Sequence, residues 1–128
     1  MEMGYLILTL VLLNFCHFIG DFSHLNTNWM IKAKKIGKPL FPLLCHAGVH
    51  AILFFITILI LFNFDMAFYA ASIQLVSHFI IDFLKGKLGY WFSYIQNSEN
   101  RSYWLIFGFD QFLHQLVIVG IIAVICYS

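Results

Sequence analysis

The chain has 128 residues, of which 62% are hydrophobic and only 10% are charged, and its mean hydropathy is +0.88. A soluble domain is typically about 45–50% apolar and about 25% charged, and a chain this short cannot bury such an excess of apolar side chains in its own core. The composition therefore excludes a soluble domain, a disordered chain and a disulfide scaffold. The formal net charge of +1 excludes nucleic acid as a partner. We predict an integral membrane protein.

Four apolar runs are each long enough to form a helix that crosses a bilayer, which takes about 20 residues. We expect these helices at about 3–22, 40–62, 66–85 and 103–127, in a single transmembrane domain that covers residues 1–128. Asn63 and Asp65 indicate a tight turn between the second and third helices. The predicted fold is therefore all-α, an integral membrane four-helix bundle with up-down-up-down topology in contact with the lipid bilayer.

The basic residues predict the orientation of the bundle. All seven lie in or beside the loop between the first two helices and the loop between the last two: Lys32, Lys34, Lys35, Lys38, Lys85, Lys87 and Arg101. The positive-inside rule assigns this side to the cytoplasm. We therefore expect both termini to lie outside, on the opposite side of the membrane.

Each predicted helix carries one pair of ionisable residues with i, i+4 spacing. In chain order the pairs are His17 and Asp21, His46 and His50, His78 and Asp82, and Asp110 and His114. Residues four apart lie on one face of a helix, and all four pairs fall at a similar depth, a few turns from the predicted cytoplasmic side. An ionisable side chain at the bilayer centre costs about 2.5–3.5 kcal/mol or more, so such residues are rare and usually functional. We expect the eight side chains to converge on one point of the bundle.

The residue types in these pairs favour a metal centre. Imidazole and carboxylate groups bind Zn, Mn, Fe and Ni, and helical bundles hold dimetal sites with inward-facing pairs of ligands. Eight ligands suit two ions, and the three aspartates with a bridging hydroxide would balance the charge of two divalent ions in a low-dielectric interior. We predict two divalent transition-metal ions as cofactors, Zn or Mn in preference to Fe.

Two other interpretations of the pairs do not involve a resident metal. A single pair usually makes a buried hydrogen bond to a neighbouring helix, in which case the bundle is an interaction module held by polar contacts. A chain of His and Asp residues can also relay protons in pumps and transporters. The matched depth of four pairs favours the metal centre over both.

Other polar residues near the pairs have candidate roles. Lys85 lies on the same helix face as His78 and Asp82, and as a candidate catalytic residue it would bind a phosphate or another anionic headgroup; alternatively, it extends to the membrane surface. His24 continues the face of the first pair and is either a further ligand or a solvated loop residue. Five more side chains could orient the ligating histidines or simply link helices: Asn14, Gln74, Ser77, Gln111 and Gln115.

Four stretches of the chain carry a family resemblance. They are His17-Phe-Ile-Gly-Asp21-Phe22, Leu44-Cys-His46-Ala-Gly-Val-His50, Ser77-His78-Phe-Ile-Ile-Asp82-Phe-Leu-Lys85 and Asp110-Gln111-Phe-Leu-His114. In this order they resemble the motifs of DUF3307, a family of bacterial and phage membrane proteins of unknown function. Asn26-Thr-Asn28-Trp29-Met30 resembles the family's Gln-Thr-Asp-Trp-Met stretch, with Asn in place of its Gln and its Asp. The resemblance covers nearly the whole chain and implies a bacterial cytoplasmic (inner) membrane protein.

The chain is also distantly similar to membrane-bound metal-dependent hydrolases of the YdjM type. By analogy we expect a membrane-embedded metal-dependent hydrolase with a dinuclear site near the cytoplasmic side, acting on a lipid, another phosphoester or a further amphipathic anionic substrate. The alternative is a metal-ion or proton transporter that uses the same cluster, which the lack of an internal inverted repeat disfavours. A dimetal redox enzyme is a third interpretation. A homodimer would also be consistent with a chain that has so few helices.

Overall fold

The helices of this chain form an antiparallel bundle. The computed structural model describes residues 2–128, and Met1 lies outside the described residues. Within 2–128, five α-helices follow one another: α1 (Met3–Phe22), α2 (Asn28–Ile36), α3 (Leu40–Leu61), α4 (Phe64–Trp91) and α5 (Arg101–Tyr127), with a short 3-10 helix, Ser93–Gln96, before α5. In this described part, α1, α3, α4 and α5 are long and apolar enough to cross a membrane. The predicted all-α four-helix bundle is confirmed, and the four helices indicate a multi-pass membrane protein.

The outer surface of the bundle is apolar. Exposed side chains such as Phe18 on α1, Ile60 on α3 and Val119 on α5 cover it. A lipid environment offers no hydrogen-bond partners to the backbone, so each spanning segment must satisfy its own N–H and C=O groups as a helix. The same apolar residues therefore determine both the helical conformation and the contact with lipid.

The helices α3 and α4 form a tight hairpin. Only Phe62 and Asn63 join them, and the side-chain oxygen of Asn63 caps α4 by accepting a hydrogen bond from the backbone N–H of Met66 at 2.9 Å. This short connection makes α3 and α4 antiparallel neighbours, and it brings the ring of His50 within 3.8 Å of the ring of His78, centroid to centroid.

Two elements differ from the sequence-based expectation. The helix α4 continues to Trp91, beyond the predicted end at residue 85, and α2 forms in what we expected to be an irregular loop. Thr27 begins α2 by accepting a hydrogen bond from Met30 N–H, and Gly37, with φ of 68°, ends it in the left-handed conformation. Both ends of α2 thus have ordinary capping signals.

The extended part of α4 supports α2 through a close backbone contact. A Cβ atom added to Gly86 would lie 2.8 Å from the carbonyl oxygen of Lys34 and would overlap the backbone of Gly37. The side-chain amide of Gln96 then donates to the carbonyl oxygens of Lys35 and Gly89. Glycine at position 86 is therefore required for α2 to lie against α4, and this contact holds α2 over one end of the bundle.

The interior of the bundle has an apolar half and a polar half. Buried apolar residues fill the half nearer the chain termini: Leu13, Phe54, Ile58, Ala67, Ala70, Ile118, Ile121, Ile122 and Ile125. The four ionisable pairs lie between this apolar core and the end that carries α2 and the basic loops.

Candidate metal centre

The eight predicted ligands are brought together by four helices. The pairs come from α1 (His17 and Asp21), α3 (His46 and His50), α4 (His78 and Asp82) and α5 (Asp110 and His114), and every one of these residues is at most 8% exposed. The i, i+4 spacing sets both members of each pair on one face of their helix. In all four helices that face points into the bundle.

Asp21 is the centre of a first group of possible ligands. Its Oδ1 lies 3.0 Å from Nε2 of His46, 3.3 Å from Nε2 of His50 and 4.0 Å from Nε2 of His78. These four residues each offer a ligand atom within 4.8 Å of the others. One carboxylate with three imidazoles is a nitrogen-rich set of the kind that binds zinc.

A second group contains two carboxylates and one imidazole. Nε2 of His114 lies 3.5 Å from Oδ1 of Asp82 and 3.6 Å from Oδ1 of Asp110. Each of the three residues offers a ligand atom within 4.8 Å of the other two. This set is richer in oxygen than the first, and oxygen ligands suit harder ions such as Mn²⁺. The two groups therefore differ in chemical character.

His78 connects the two groups. Nε2 of His78 lies 3.3 Å from Oδ2 of Asp82, in addition to its approach to Asp21, and His78, His17 and His114 form a third set of possible ligands. The ring centroids of His78 and His114 are 4.2 Å apart. The groups are therefore contiguous, and one histidine can serve either of them.

If these residues fit a metal ion, some of their ligand atoms should lack hydrogen-bond partners within the protein. In the part of the chain that the structure describes, several buried ligand atoms have no hydrogen-bond partner: Nε2 of His50, His78 and His114, both carboxylate oxygens of Asp82, and Oδ1 of Asp110. Leaving a buried polar group without a partner costs about 1–3 kcal/mol. A cation coordinated by these lone pairs would remove that cost. The His and Asp groups can therefore hold a metal ion.

Two amide side chains contact the candidate ligands. The amide nitrogen of Gln74 lies 3.2 Å from Nδ1 of His78. Oε1 of Gln111 lies 3.3 Å from Nε2 of His17. The amide nitrogen of Gln111 donates to Oδ2 of Asp21 at 3.4 Å. Contacts of this kind fix the ring orientation of a ligating histidine. An imidazole that binds a metal through Nε2 carries its proton on Nδ1, so in a metal-bound site the amide oxygen of Gln74, turned toward His78, would accept a hydrogen bond from that N–H.

The other polar candidates do not contact the ligand groups in the same way. Asn14 and Ser77 donate to backbone carbonyls of their own helices, and Gln115 is partly buried. His24 lies after the end of α1 and is exposed, as expected for a solvated loop residue.

Lys85 and a second lysine reach the ligand groups. The Lys85 ammonium donates to Oδ2 of Asp110 at 2.8 Å, and its side chain is 29% exposed. Lys34, which we had expected only in a loop, extends from α2 into the first group: its Nζ donates to Oδ1 of Asp21 at 3.0 Å and lies 3.0 Å from Nε2 of His46. Burial lowers the pKa of Lys34, but the carboxylates of Asp82 and Asp21 outweigh it, so the pKa is raised above its ordinary value. Lys34 is therefore a cation at the site.

Lys34 was not among the residues we predicted at the site, because we expected residues 23–39 to form a connecting loop. The signals that could have revealed its position are Thr27 and Gly37, which are typical of the start and end of a helix. Within a helix between them, Met30 and Ala33 are buried and Lys34 follows on the adjoining face. The sequence contains no comparable signal for the distance between Lys34 and Asp21.

A cavity of about 290 Å³ adjoins the ligand groups on the side of the basic loops. Its polar lining includes Asp21, Lys34, Lys85, Asp110 and Gln111. Because it reaches one aspartate of each ligand group, a small molecule in this cavity would meet both groups. The arrangement combines buried candidate ligands with a cavity that lysine side chains line.

A comparison with protein families identifies a match over most of the chain. A family model described as a protein of unknown function (DUF3307) matches residues 7–128, a range that includes all eight candidate ligands. Searches of curated proteins and of solved structures found no significant match.

Proposed function

We propose that this chain, which belongs to the DUF3307 family of proteins of unknown function, is a membrane-embedded metal-dependent hydrolase with a dinuclear site. The observation that carries the proposal is the convergence of two contiguous ligand groups beside a cavity that three lysines line, Lys34, Lys35 and Lys85. Buried ligands alone would suit a structural metal. Ligands that line a cavity favour a reaction with a molecule that enters it.

The two ligand groups suggest how the ions are shared. Asp21, His46, His50 and His78 would hold one ion, and Asp82, Asp110 and His114 would hold the other, with His17 as the remaining neighbour of both. The nitrogen-rich set supports Zn, and the oxygen-rich set supports Zn or Mn. When bound, such ions activate water and polarise the bond to be hydrolysed, which is the chemistry of dimetal hydrolases.

The chain's own residues would supply positioning and charge. Gln74 and Gln111 hold the rings of His78 and His17 through the contacts given above. Lys85 would carry the catalytic role, because its ammonium lies on the cavity wall where negative charge would develop on a substrate.

The apolar half of the bundle supports hydrolysis over transport. Fully buried side chains, among them Leu13, Phe54 and Ile118, fill the interior on the far side of the ligand groups. A metal-ion or proton transporter needs a polar route to both sides of the membrane, and these residues occupy the interior through which such a route would run.

The positions of the basic residues support a location for the reaction on the cytoplasmic side of the membrane. All seven lysines and arginines lie at the cavity end of the bundle, and the positive-inside rule would turn this end to the cytoplasm. In a bacterial inner membrane the site would then open toward the cytoplasmic leaflet, with both termini outside.

Hydrolysis by purified protein tests the proposal. The chain in maltoside detergent is loaded with Zn²⁺ or Mn²⁺ and incubated with a panel of 4-nitrophenyl phosphate, carboxylate and sulfate esters that do or do not carry an alkyl chain. We expect release of 4-nitrophenolate, and chelation of the metal should abolish it. His50→Ala and Asp82→Asn should reduce the release to background. The control variant His24→Ala, which changes an exposed histidine, should leave it unchanged. Stoichiometric metal without metal-dependent hydrolysis of any ester in the panel would contradict the proposal.

A further inference from the structure

The cavity beside the ligand groups has a cationic end. Three lysines line it, Lys34 and Lys35 from α2 and Lys85 from α4, and Lys34 and Lys85 are the two that reach the ligand groups. Each ammonium contacts a carboxylate, Asp21 for Lys34 and Asp110 for Lys85. Two ammonium groups around one small space suit a ligand that carries more than one anionic oxygen.

The same carboxylates are candidate metal ligands, which affects the charge that an incoming molecule would meet. A carboxylate that coordinates a divalent ion has its negative charge compensated by that ion. Lys34 and Lys85 would then present their positive charge to the cavity instead of to Asp21 and Asp110. The cationic end therefore favours an anion when the ligand groups hold metal.

Apart from Asn26, Lys35, Gln96 and Gln111, the rest of the cavity wall is largely apolar and reaches the outer surface of the bundle. It is formed by Phe22, Ile31, Ile95, Tyr103, Ile106 and Phe107. The rings of Phe22 and Phe107 are 6.5 Å apart, centroid to centroid, and link α1 to α5. Phe22 is 56% exposed and also stacks on the exposed Phe18. The apolar wall is thus continuous with the surface that faces lipid.

From the cationic end and the apolar wall we infer that the cavity binds a phosphate group that carries an apolar chain. Lys34 and Lys85 are the residues that hold the phosphate. The role of this ligand as a substrate rests on the proposed function. A cavity of about 290 Å³ is at the small end of ligand sites. It suits the phosphate and the first part of the chain, while the remainder of the chain would pass Phe22 into the membrane.

Binding of alkylphosphonates tests this inference without hydrolysis, because their carbon–phosphorus bond is not cleaved by an esterase. Zn-loaded protein in maltoside detergent, which itself contains no phosphate, is titrated calorimetrically with hexylphosphonate, methylphosphonate and 1-hexanol. The metal content of each sample is measured in parallel. We expect hexylphosphonate to bind at least tenfold more tightly than methylphosphonate, and 1-hexanol to bind more weakly than either, because both the anion and the chain contribute.

Variants of the two lysines identify the groups that hold the phosphonate. We expect Lys34→Gln and Lys85→Gln each to weaken hexylphosphonate binding about tenfold or more, and Lys34→Arg to retain it because the charge is kept. The matched controls are Lys32→Gln on α2, which is exposed, and Lys87→Gln on α4, whose ammonium lies over the ring of Phe83. Both controls should bind as the unmodified chain does.

The outcomes separate this inference from the proposed function. Metal-loaded Lys34→Gln and Lys85→Gln proteins that bind hexylphosphonate with unchanged affinity would overturn the phosphate site and leave the metal centre intact. Equal affinity for hexylphosphonate and methylphosphonate would overturn the apolar part and leave a site for a small phosphate-like anion. Lysine-dependent binding by a protein that never holds metal would support the phosphate site and overturn the hydrolase.

Discussion

The ring of His50 occupies the space next to Gly20 where any other residue would have its side chain. A Cβ atom on Gly20 would lie 2.6 Å from Nε2 of His50 and 2.7 Å from Nδ1, which is closer than non-bonded atoms approach. A glycine of α1 thus determines where a candidate ligand of α3 lies. The close approach of helices at small residues is common in membrane bundles, and here it sets the position of a candidate metal ligand.

The first prediction is that Gly20→Ala weakens metal binding by about tenfold or more, because the new methyl group displaces the His50 ring. Competition with a fluorescent zinc chelator measures the affinity. The controls are Gly48→Ala and Gly108→Ala, whose added Cβ atoms would have nothing within 4 Å. Equal affinity in Gly20→Ala and in the controls would show that His50 is not a ligand in this position.

The second prediction concerns the chemical difference between the two ligand groups. When the protein is offered one equivalent each of Zn²⁺ and Mn²⁺, we expect Zn²⁺ in the group of Asp21, His46, His50 and His78, and Mn²⁺ in the group of Asp82, Asp110 and His114. Electron paramagnetic resonance of bound Mn²⁺ and elemental analysis for zinc measure the two separately.

Asp110→Asn and His50→Ala distinguish the groups in that experiment. Asp110→Asn should remove the signal of bound Mn²⁺ while zinc remains, and His50→Ala should reduce bound zinc. If Asp110→Asn leaves bound Mn²⁺ unchanged, the assignment of the oxygen-rich group is wrong.

The third prediction is that Gly86→Ala separates α2 from α4 while leaving the metal ligands in place. Its Cβ atom would overlap the backbone at Gly37, and overpacking of this kind costs about 1–3 kcal/mol. Hydrogen exchange measured by mass spectrometry should show faster exchange in residues 28–36, with unchanged metal content. Gly120→Ala, whose Cβ atom would have nothing within 4 Å, is the control. Unchanged exchange in α2 would contradict the role given to Gly86.

The fourth prediction is that Gln74→Leu weakens metal affinity about 10–100-fold, as is typical when a residue that orients a ligating histidine is removed. Gln74 is 2% exposed and contacts Nδ1 of His78, and leucine has a similar volume, so the fold should be retained. The same chelator competition gives the affinity. Ser77→Ala is the control on α4, since the Ser77 hydroxyl donates to carbonyls of its own helix. Similar affinity in the two variants would argue against an orienting role for Gln74.

Much of the bundle follows from the sequence because the bilayer imposes simple constraints. The four apolar runs predict the spanning helices by length, and the spacing of His17 to Asp21 or His46 to His50 predicts one inward face for each helix. A charged or imidazole group avoids lipid, so convergence of the pairs is the expected arrangement.

The sequence does not reveal the contacts that depend on the relative positions of helices. The presence of Lys34 near Asp21 depends on backbone packing at Gly86, and a glycine in a polar stretch predicts a loop as readily as a close contact. The division of the ligands into two groups also depends on which rings meet across the bundle, as His78 does with His50 and His114. The spacing of residues along one helix carries no information about helix packing or about the division of the ligands into groups.

The metal content of the purified protein tests the central claim most directly. Elemental analysis compares the unmodified chain with His46→Ala/His50→Ala, and with His24→Ala as the control for the loss of an exposed histidine. We expect about two transition-metal ions per chain in the unmodified protein and in His24→Ala, and a clear loss in His46→Ala/His50→Ala. If the unmodified chain has no stoichiometric metal after purification without chelator, and takes up none when Zn²⁺ or Mn²⁺ is added, the metal centre and the hydrolase proposed from it are contradicted.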